Sequence, residues 1–259
     1  MNEKSSRLEK GWQLITEVHG DTGHQILQKL AETSPDLVHA IVGFGYGEVY
    51  DSPLLSKRYK QMAVVAALCA LNNAQSQLEV HIKAAFNVGC TLSDIEETII
   101  QTGVYAGVPA AMNGIMAMKK AVADKTALGI QIDPGKRPEK TEGDRLQNGI
   151  QTIDSLVSGQ SEKFEKTAGQ ISPDLVRLTL EYAFGEIYTR NNLSPKEREL
   201  IIIAALTAGG KTPHQLKWHL RAGLNTGWKK EELQELIQLM ILYAGFPAAM
   251  NATALLAEL

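Results

Sequence analysis

Four residues carry the pattern closest to acid–base chemistry. Glu48 and His81 stand 33 positions apart, and Glu186 and His219 repeat that separation. On α-helical spacing, Glu48 continues a stripe of Leu37, Ile41 and Phe44. His81 comes three residues after Leu78 and beside Ile82, so all four side chains are expected to point inward. A lone buried carboxylate costs several kcal/mol unless it is paired or hydrogen-bonded. A carboxyl group and an imidazole meeting in one cavity would shift each other's titration and form a proton-transfer pair near neutral pH. The competing reading is architectural, with each residue a satisfied core polar group that holds helices in register. Arg198 and Glu199 are a second candidate pair, and the aligned residues of the first half are Lys60 and Gln61, so the cation persists and the carboxylate does not. A solvated first helical turn accounts equally well for Arg198. Tyr105, Tyr243, Asn113 and Asn251 flank Gly-Pro bends, where a phenol and an amide could line a cavity or cap broken helix ends. Trp218, next to His219, has no aromatic counterpart in the first half and reads as packing.

Other chemistries find little support. His214 and His219 are five residues apart, whereas two zinc ligands on one helix face need a spacing of four. No glycine-rich dinucleotide fingerprint or phosphate loop occurs, so no cofactor and no metal are expected. The cysteines, Cys69 and Cys90, are too far apart for a C-x-x-C dithiol and align with Thr207 and Trp228, which leaves no disulfide framework. A reducing cytoplasm is the expected location. A net charge of −3 gives no basic field for nucleic acid, and the one local cluster, Lys136, Arg137 and Lys140, sits among acids. The opening MNEKSSRLEK lacks the apolar stretch of a signal peptide. The longest apolar runs, 62–71 and 200–208, are too short to cross a bilayer, so no membrane association is expected.

The elements that must position these residues are given by a duplication. Shifted by 138 residues, the chain aligns with itself without a gap from Ser34/Ser172 to Asn113/Asn251, with 30 identities in 80 positions. Identities gather in S-P-D-L-V, G-E-x-Y, A-A-L-x-A, the histidine with its A-x-x-N-x-G tail, and Y-A-G-x-P-A-A-M-N. A unit this long is a domain, since solenoid repeats run to about 20–50 residues. Every segment of it reads as helix. The runs 62–71 and 200–208 are apolar all round, the pattern of a central helix. Gly89 and Gly227 close the two histidine helices, and Pro109 and Pro247 suit first helical turns. The polar, Pro- and Gly-containing stretch 124–144 reads as a surface linker, dividing the chain into domains at 1–123 and 145–259.

F-G-E-I-Y-T-R (184–190), L-S-P-K-E-R-E-L (193–200), H-L-R-A-G-L-N-T-G (219–227) and Y-A-G-F-P-A-A-M-N-A (243–252) together resemble the carboxymuconolactone decarboxylase family of the alkylhydroperoxidase D-like superfamily. The resemblance covers nearly all of copy two and, more loosely, copy one. It implies an all-α fold in which two tandem copies form an intrachain pseudo-dimer. Because single-domain members assemble as hexamers built from dimers, it also implies that this chain closes as a homotrimer. The implied activity is cofactor-free decarboxylation or isomerisation of a small carboxylated lactone or keto acid, with Glu186, His219 and Arg198 supplying oxygen donors and a proton to carbon. Glu48 and His81 would repeat part of that site in copy one. Hydroperoxidase members instead place C-x-x-C at positions matching Ala74 and Gln77, or Thr212 and Gln215, where this chain has no thiol. Glu199 matches the acid of their proton relay. Peroxidase chemistry, or a non-catalytic small-molecule-binding ring, are the alternative functions.

Overall fold

Glycine decides how each half begins. In a computed structural model describing residues 3–139 and 141–259, helix α1 (Glu3–Ala31) crosses a π-helix (Ile41–Tyr50) backbone to backbone. A Cβ on Gly11 would lie 2.0 Å from the Val42 carbonyl oxygen, and one on Gly47 would lie 2.0 Å from that of Arg7. The second copy repeats the crossing between α7 (Arg145–Leu156) and a π-helix at Thr179–Ile187, with Gly149 against the Leu180 carbonyl and Gly185 against that of Arg145. Met1, Asn2 and Lys140, the last cation of the linker cluster, lie outside the described residues.

The remaining elements of copy one are α2 (Pro35–Ala40), α3 (Lys57–Leu71), α4 (Gln75–Asn87), α5 (Leu92–Ala106) and α6 (Val108–Ala127). Copy two carries α8 (Gln160–Lys166), α9 (Ala168–Ile171), α10 (Pro173–Leu178), α11 (Pro195–Gly209), α12 (Pro213–Asn225), α13 (Lys230–Leu239), α14 (Ile241–Ala244) and α15 (Phe246–Ala257). No strand occurs among the described residues, so the fold is all-α, as the sequence predicts. Helix α6 runs to Ala127, and the irregular connector therefore starts at 128 rather than 124. Local sequence sets several boundaries. Ser194 and Glu197 form a capping box that starts α11, and Thr91 with Asp94 does the same for α5. Gly107 and Gly245, both at positive φ, break the chain before α6 and α15. The apolar-all-round helices α3 and α11 pack on each other at the centre and carry the join between the copies.

That join is charged as well as apolar. Arg198 on α11, wholly buried, meets Glu97 on α5 of the other copy at 2.9 Å and donates to Gln101 Oε1 at 2.8 Å. The reciprocal pair follows from adding or subtracting 138: Lys60 on α3 meets Glu235 on α13 at 3.2 Å, with both side chains buried. Each glutamate also secures a loop of the opposite copy. Glu97 accepts from Arg190 Nε and Asn192, and Glu235 accepts from Ser52 Oγ and the Leu54 and Leu55 amides. Burial alone would raise the Glu235 carboxyl, but these hydrogen bonds and Lys60 hold it below the usual carboxylate range. Residue i meeting j and j′ meeting i′ is the signature of an isologous contact, here closed within one chain.

The π-helices overturn one sequence expectation. Glu48 and Glu186 are exposed, at 44% and 49%, and pair with Arg7 and Arg145 rather than with the histidines. A wider helical turn advances the chain by less rotation per residue. By Glu48, seven residues beyond Ile41, the α-helical stripe has slipped by roughly a third of a turn. The buried face is instead Val38, Val42, Tyr46 and Tyr50, matched by Val176, Leu180, Phe184 and Tyr188, while Leu37 and Leu175 face outward.

Removing one partner of a buried ion pair strands the other, at a cost of about 3–5 kcal/mol, whereas exposed pairs are worth about 0–1 kcal/mol. Chemical denaturation is expected to show Glu97→Ala losing about 3–5 kcal/mol and Glu48→Ala less than about 1 kcal/mol; equal losses would contradict this placement of the two carboxylates.

Candidate functional site

Helix α12 presents His219 to the interior from its middle, and α11 presents Glu199 opposite it. The imidazole Nδ1 lies 2.8 Å from Glu199 Oε2, with both side chains buried. Tyr188, at the end of the π-helix region, donates to Glu199 Oε1 at 2.9 Å. One carboxylate thus accepts from a phenol and an imidazole together, which fixes the ring and leaves Nε2 to face outward. Beside it opens a cavity of about 490 Å³ lined by His219, Trp218, Phe184, Ala183 and Phe164, with Lys163, His214 and Gln215 among its polar residues.

The wall over the imidazole comes from the other copy. Tyr105, at the end of α5, stands edge-on to His219 with ring centroids 5.1 Å apart, and with Val104 it lines the copy-two cavity. Tyr243 returns the arrangement, edge-on to His81 at 5.2 Å. Burial, with Glu199 adding to it, holds the Tyr105 phenol well above its ordinary titration range. Tyr188 is raised by the same two causes, so both stay protonated near neutral pH.

Copy one builds the same frame with a different charge. Gln61 replaces Glu199: its Oε1 lies 3.1 Å from His81 Nδ1, and its Nε2 donates to Tyr50 Oη at 2.9 Å. His19, where copy two has Val157, hydrogen-bonds Tyr46, where copy two has Phe184, and its ring lies edge-on to His81 at 5.1 Å. Burial pushes His19 down to about 4, and burial together with His19 pushes His81 well below the ordinary histidine range.

Of the residues singled out from sequence, His219 and Tyr105 line one cavity with Glu199 bonded behind the imidazole, and His81 lines the other with Tyr243 packed against its ring. Glu48 and Glu186 belong to neither. Arg198 does not line the copy-two cavity; its helix phase turns it to the join, where Nη1 and Nη2 donate to Gln101, Glu97 and the Arg190 carbonyl and the buried Nε has no partner among the described residues. Asn113 is exposed and donates to Asn72 Oδ1, and Asn251 is exposed on α15, so both sit at helix surfaces. Trp218, read as packing, stacks edge-on to His219 at 4.7 Å, and its buried Nε1 has no hydrogen-bond partner among the described residues. Glu97 and Glu235 were missed, although they are the one acidic residue of their segment that is identical in the two copies. Thiol chemistry has no group here: Cys69 and Cys90 are buried, and burial pushes both up to about 12.

Comparison with known proteins matches this arrangement. The model of the carboxymuconolactone decarboxylase family fits residues 35–120 and again 173–258. The 4-carboxymuconolactone decarboxylase of Acinetobacter baylyi is 32% identical over 145 residues, covering 56% of this chain and all of the relative. Peroxisomal protein 2 of Saccharomyces cerevisiae is 30% identical over 167 residues, of which this chain spans 59% of the relative's length. The crystal structure of a proposed gamma-carboxymuconolactone decarboxylase subunit from Burkholderia xenovorans LB400 superposes with a TM-score of 0.59 at 19% identity, covering 99% of this chain and 97% of that one, and shows the same fold.

The neutral histidines of copy one make stability depend on pH. With a folded value near 4 against an ordinary 6.5, His19 takes up a proton more readily in the unfolded chain. Stability is therefore expected to fall as pH drops from about 6.5 towards about 4, with His81 acting in the same direction. His19→Val combined with Tyr46→Phe, the residues of copy two, should flatten part of that fall. Urea midpoints measured across the window check this, and a double variant that tracks the wild type would place His19 in water.

Proposed function

The chain belongs to the carboxymuconolactone decarboxylase family, one copy in each half, and from that premise we propose that it is a decarboxylase of a small carboxylated lactone or β-keto-type acid working in the copy-two cavity. The observation that carries this reading is the buried Glu199–His219 pair, which copy one replaces with Gln61–His81. The decarboxylase named among the relatives supports the reaction class.

The sequence holds no nucleotide or metal motif, so in this proposal the substrate supplies its own electron sink. The bond from the carboxylate to the adjacent carbon breaks, CO₂ departs, and the electron pair moves into the conjugated carbonyl to give an enolate. Glu199 accepts from His219 Nδ1–H and orients the ring, so that Nε2, when it carries a proton, delivers it to the carbanionic carbon. Solvent returns that proton to the ring. The unpartnered Trp218 N–H is the donor best suited to the developing enolate oxygen, because a buried donor already stripped of water needs no reorganisation when charge appears. Tyr105, Phe184 and Ala183 exclude water from the reacting carbon. Glu186 and Arg198, expected from sequence to share this chemistry, serve the surface and the join instead.

We also propose that three chains close a ring. The last helix of each copy exposes an apolar stripe, Val108, Met112 and Met116 on α6 and Phe246 and Met250 on α15, related by the same 138-residue shift. Two equivalent stripes per chain are what a cyclic trimer of pseudo-dimers requires.

Assayed by CO₂ release from such an acid, His219→Ala should lose about 10²–10⁴-fold in turnover while folding normally, and Trp218→Phe about 10²-fold. His81→Ala should keep most of the activity. Unchanged turnover in His219→Ala would end the proposal. Light scattering should give the mass of three chains, and a Met112→Glu/Met250→Glu variant a smaller species; a stable monomer of the unaltered chain at micromolar concentration would refute the ring.

A further inference from the structure

The copy-one cavity is the larger of the two histidine cavities, about 730 Å³ against about 490 Å³, a size that holds a drug-sized molecule. Its open surface is mostly apolar, with Ile15, Leu27, Leu30 and Val80 among the lining residues, and His19, Tyr46, Ser76 and Gln77 add uncharged polar groups beside His81. Lys29 is the one charged residue that lines it, and Lys29 is exposed to solvent. A carboxylate entering this cavity would lose its water without meeting a buried countercharge, which costs several kcal/mol.

The hydrogen-bond directions inside are set by an amide. Gln61 spends its N–H₂ on Tyr50 Oη, so the oxygen facing His81 can only accept, and His81 Nδ1 must carry the proton. A neutral imidazole protonated at Nδ1 has a bare lone pair at Nε2. In copy two the acceptor beside Nδ1 is the carboxylate of Glu199. With Gln61, no such negative charge exists, and the neighbouring His19 opposes a second proton. His81 therefore offers its cavity an acceptor at Nε2.

We propose that the copy-one cavity is a non-catalytic binding site for an uncharged, largely apolar molecule bearing a hydroxyl group, which docks with its O–H donated to His81 Nε2. Nothing in this assignment depends on turnover in copy two. Tyr243 of the opposite copy packs edge-on against the His81 ring, while the residues that line the cavity all come from copy one.

Three probes of one shape separate the possibilities: 2-naphthol, which donates; 2-methoxynaphthalene, which does not; and 2-naphthoate, which is charged. In calorimetric titrations of the full chain at pH 7, 2-naphthol should bind once per chain and at least about tenfold tighter than the ether, the loss expected when a buried acceptor is left unpaired. Val80→Trp, which fills the cavity with the side chain copy two carries, should weaken 2-naphthol at least tenfold. Gln61→Glu, nearly isosteric and therefore informative even if Val80→Trp fails to fold, should erase the preference for naphthol over ether and add a second equivalent of 2-naphthoate. The proposal is overturned by no saturable naphthol binding, by the ether or the naphthoate binding the Gln61-sensitive site as tightly as naphthol, or by naphthol binding that survives Val80→Trp and disappears in Thr179→Trp, which fills the copy-two cavity. Because no CO₂ is measured, failure of the decarboxylase reading would leave these results untouched.

Discussion

A carboxylate buried in one copy must find its cation in the other, and most of the site geometry follows from that requirement. Glu97 lies on α5, which ends at Tyr105, the residue that covers His219. The guanidinium of Arg198 pins Glu97 from α11, the helix that also carries Glu199 in the next position. One ion pair therefore fixes the Glu199 carboxylate, the helix that brings the tyrosine and the spacing between them. Lys60 and Glu235 do the same for the opposite site, with Gln61 and Tyr243 in the corresponding places. Such pairs add little net stability compared with apolar packing, but their geometry admits one docking of the two copies and penalises others.

The frame being common, the differences between the cavities reduce to a few side chains. Glu199 against Gln61 decides whether the imidazole faces a carboxylate or a neutral amide. Trp218 against Val80 and Phe184 against Tyr46 decide which donors face the guest and how much room it has. An isosteric exchange of one oxygen for one amide nitrogen reverses the hydrogen bond to the tyrosine: Tyr188 donates to Glu199, whereas Gln61 donates to Tyr50.

The duplication, the helical class and the central position of α3 and α11 were legible in the sequence, because burial on all sides and repeated caps leave local marks. His219, Glu199 and Tyr105 were legible as residues but not as partners. Their meeting depends on two helices from one copy and a third from the other, and no local period encodes a contact across 100 residues or more. Glu48 and Glu186 misled for a specific reason: α-helical phase was applied to segments that turn as π-helices. The four-residue recurrence of Val38, Val42, Tyr46 and Tyr50, repeated in copy two, was the mark of the wider turn, and the glycines beside the glutamates were the mark of a helix crossing. Trp218 looked like filler because an unmatched donor is visible only once its surroundings are known.

Fusing two copies into one chain also changes what mutation can reach. In a dimer of identical subunits, any substitution strikes both sites at once, so a gain in one is always tied to the same alteration in its twin. Here every position exists twice and can drift alone. Yet the tyrosine lent across the join keeps the halves mutually dependent, since deleting either would leave the survivor with an open wall. The chain is thus free to specialise its two sites but not to shed one.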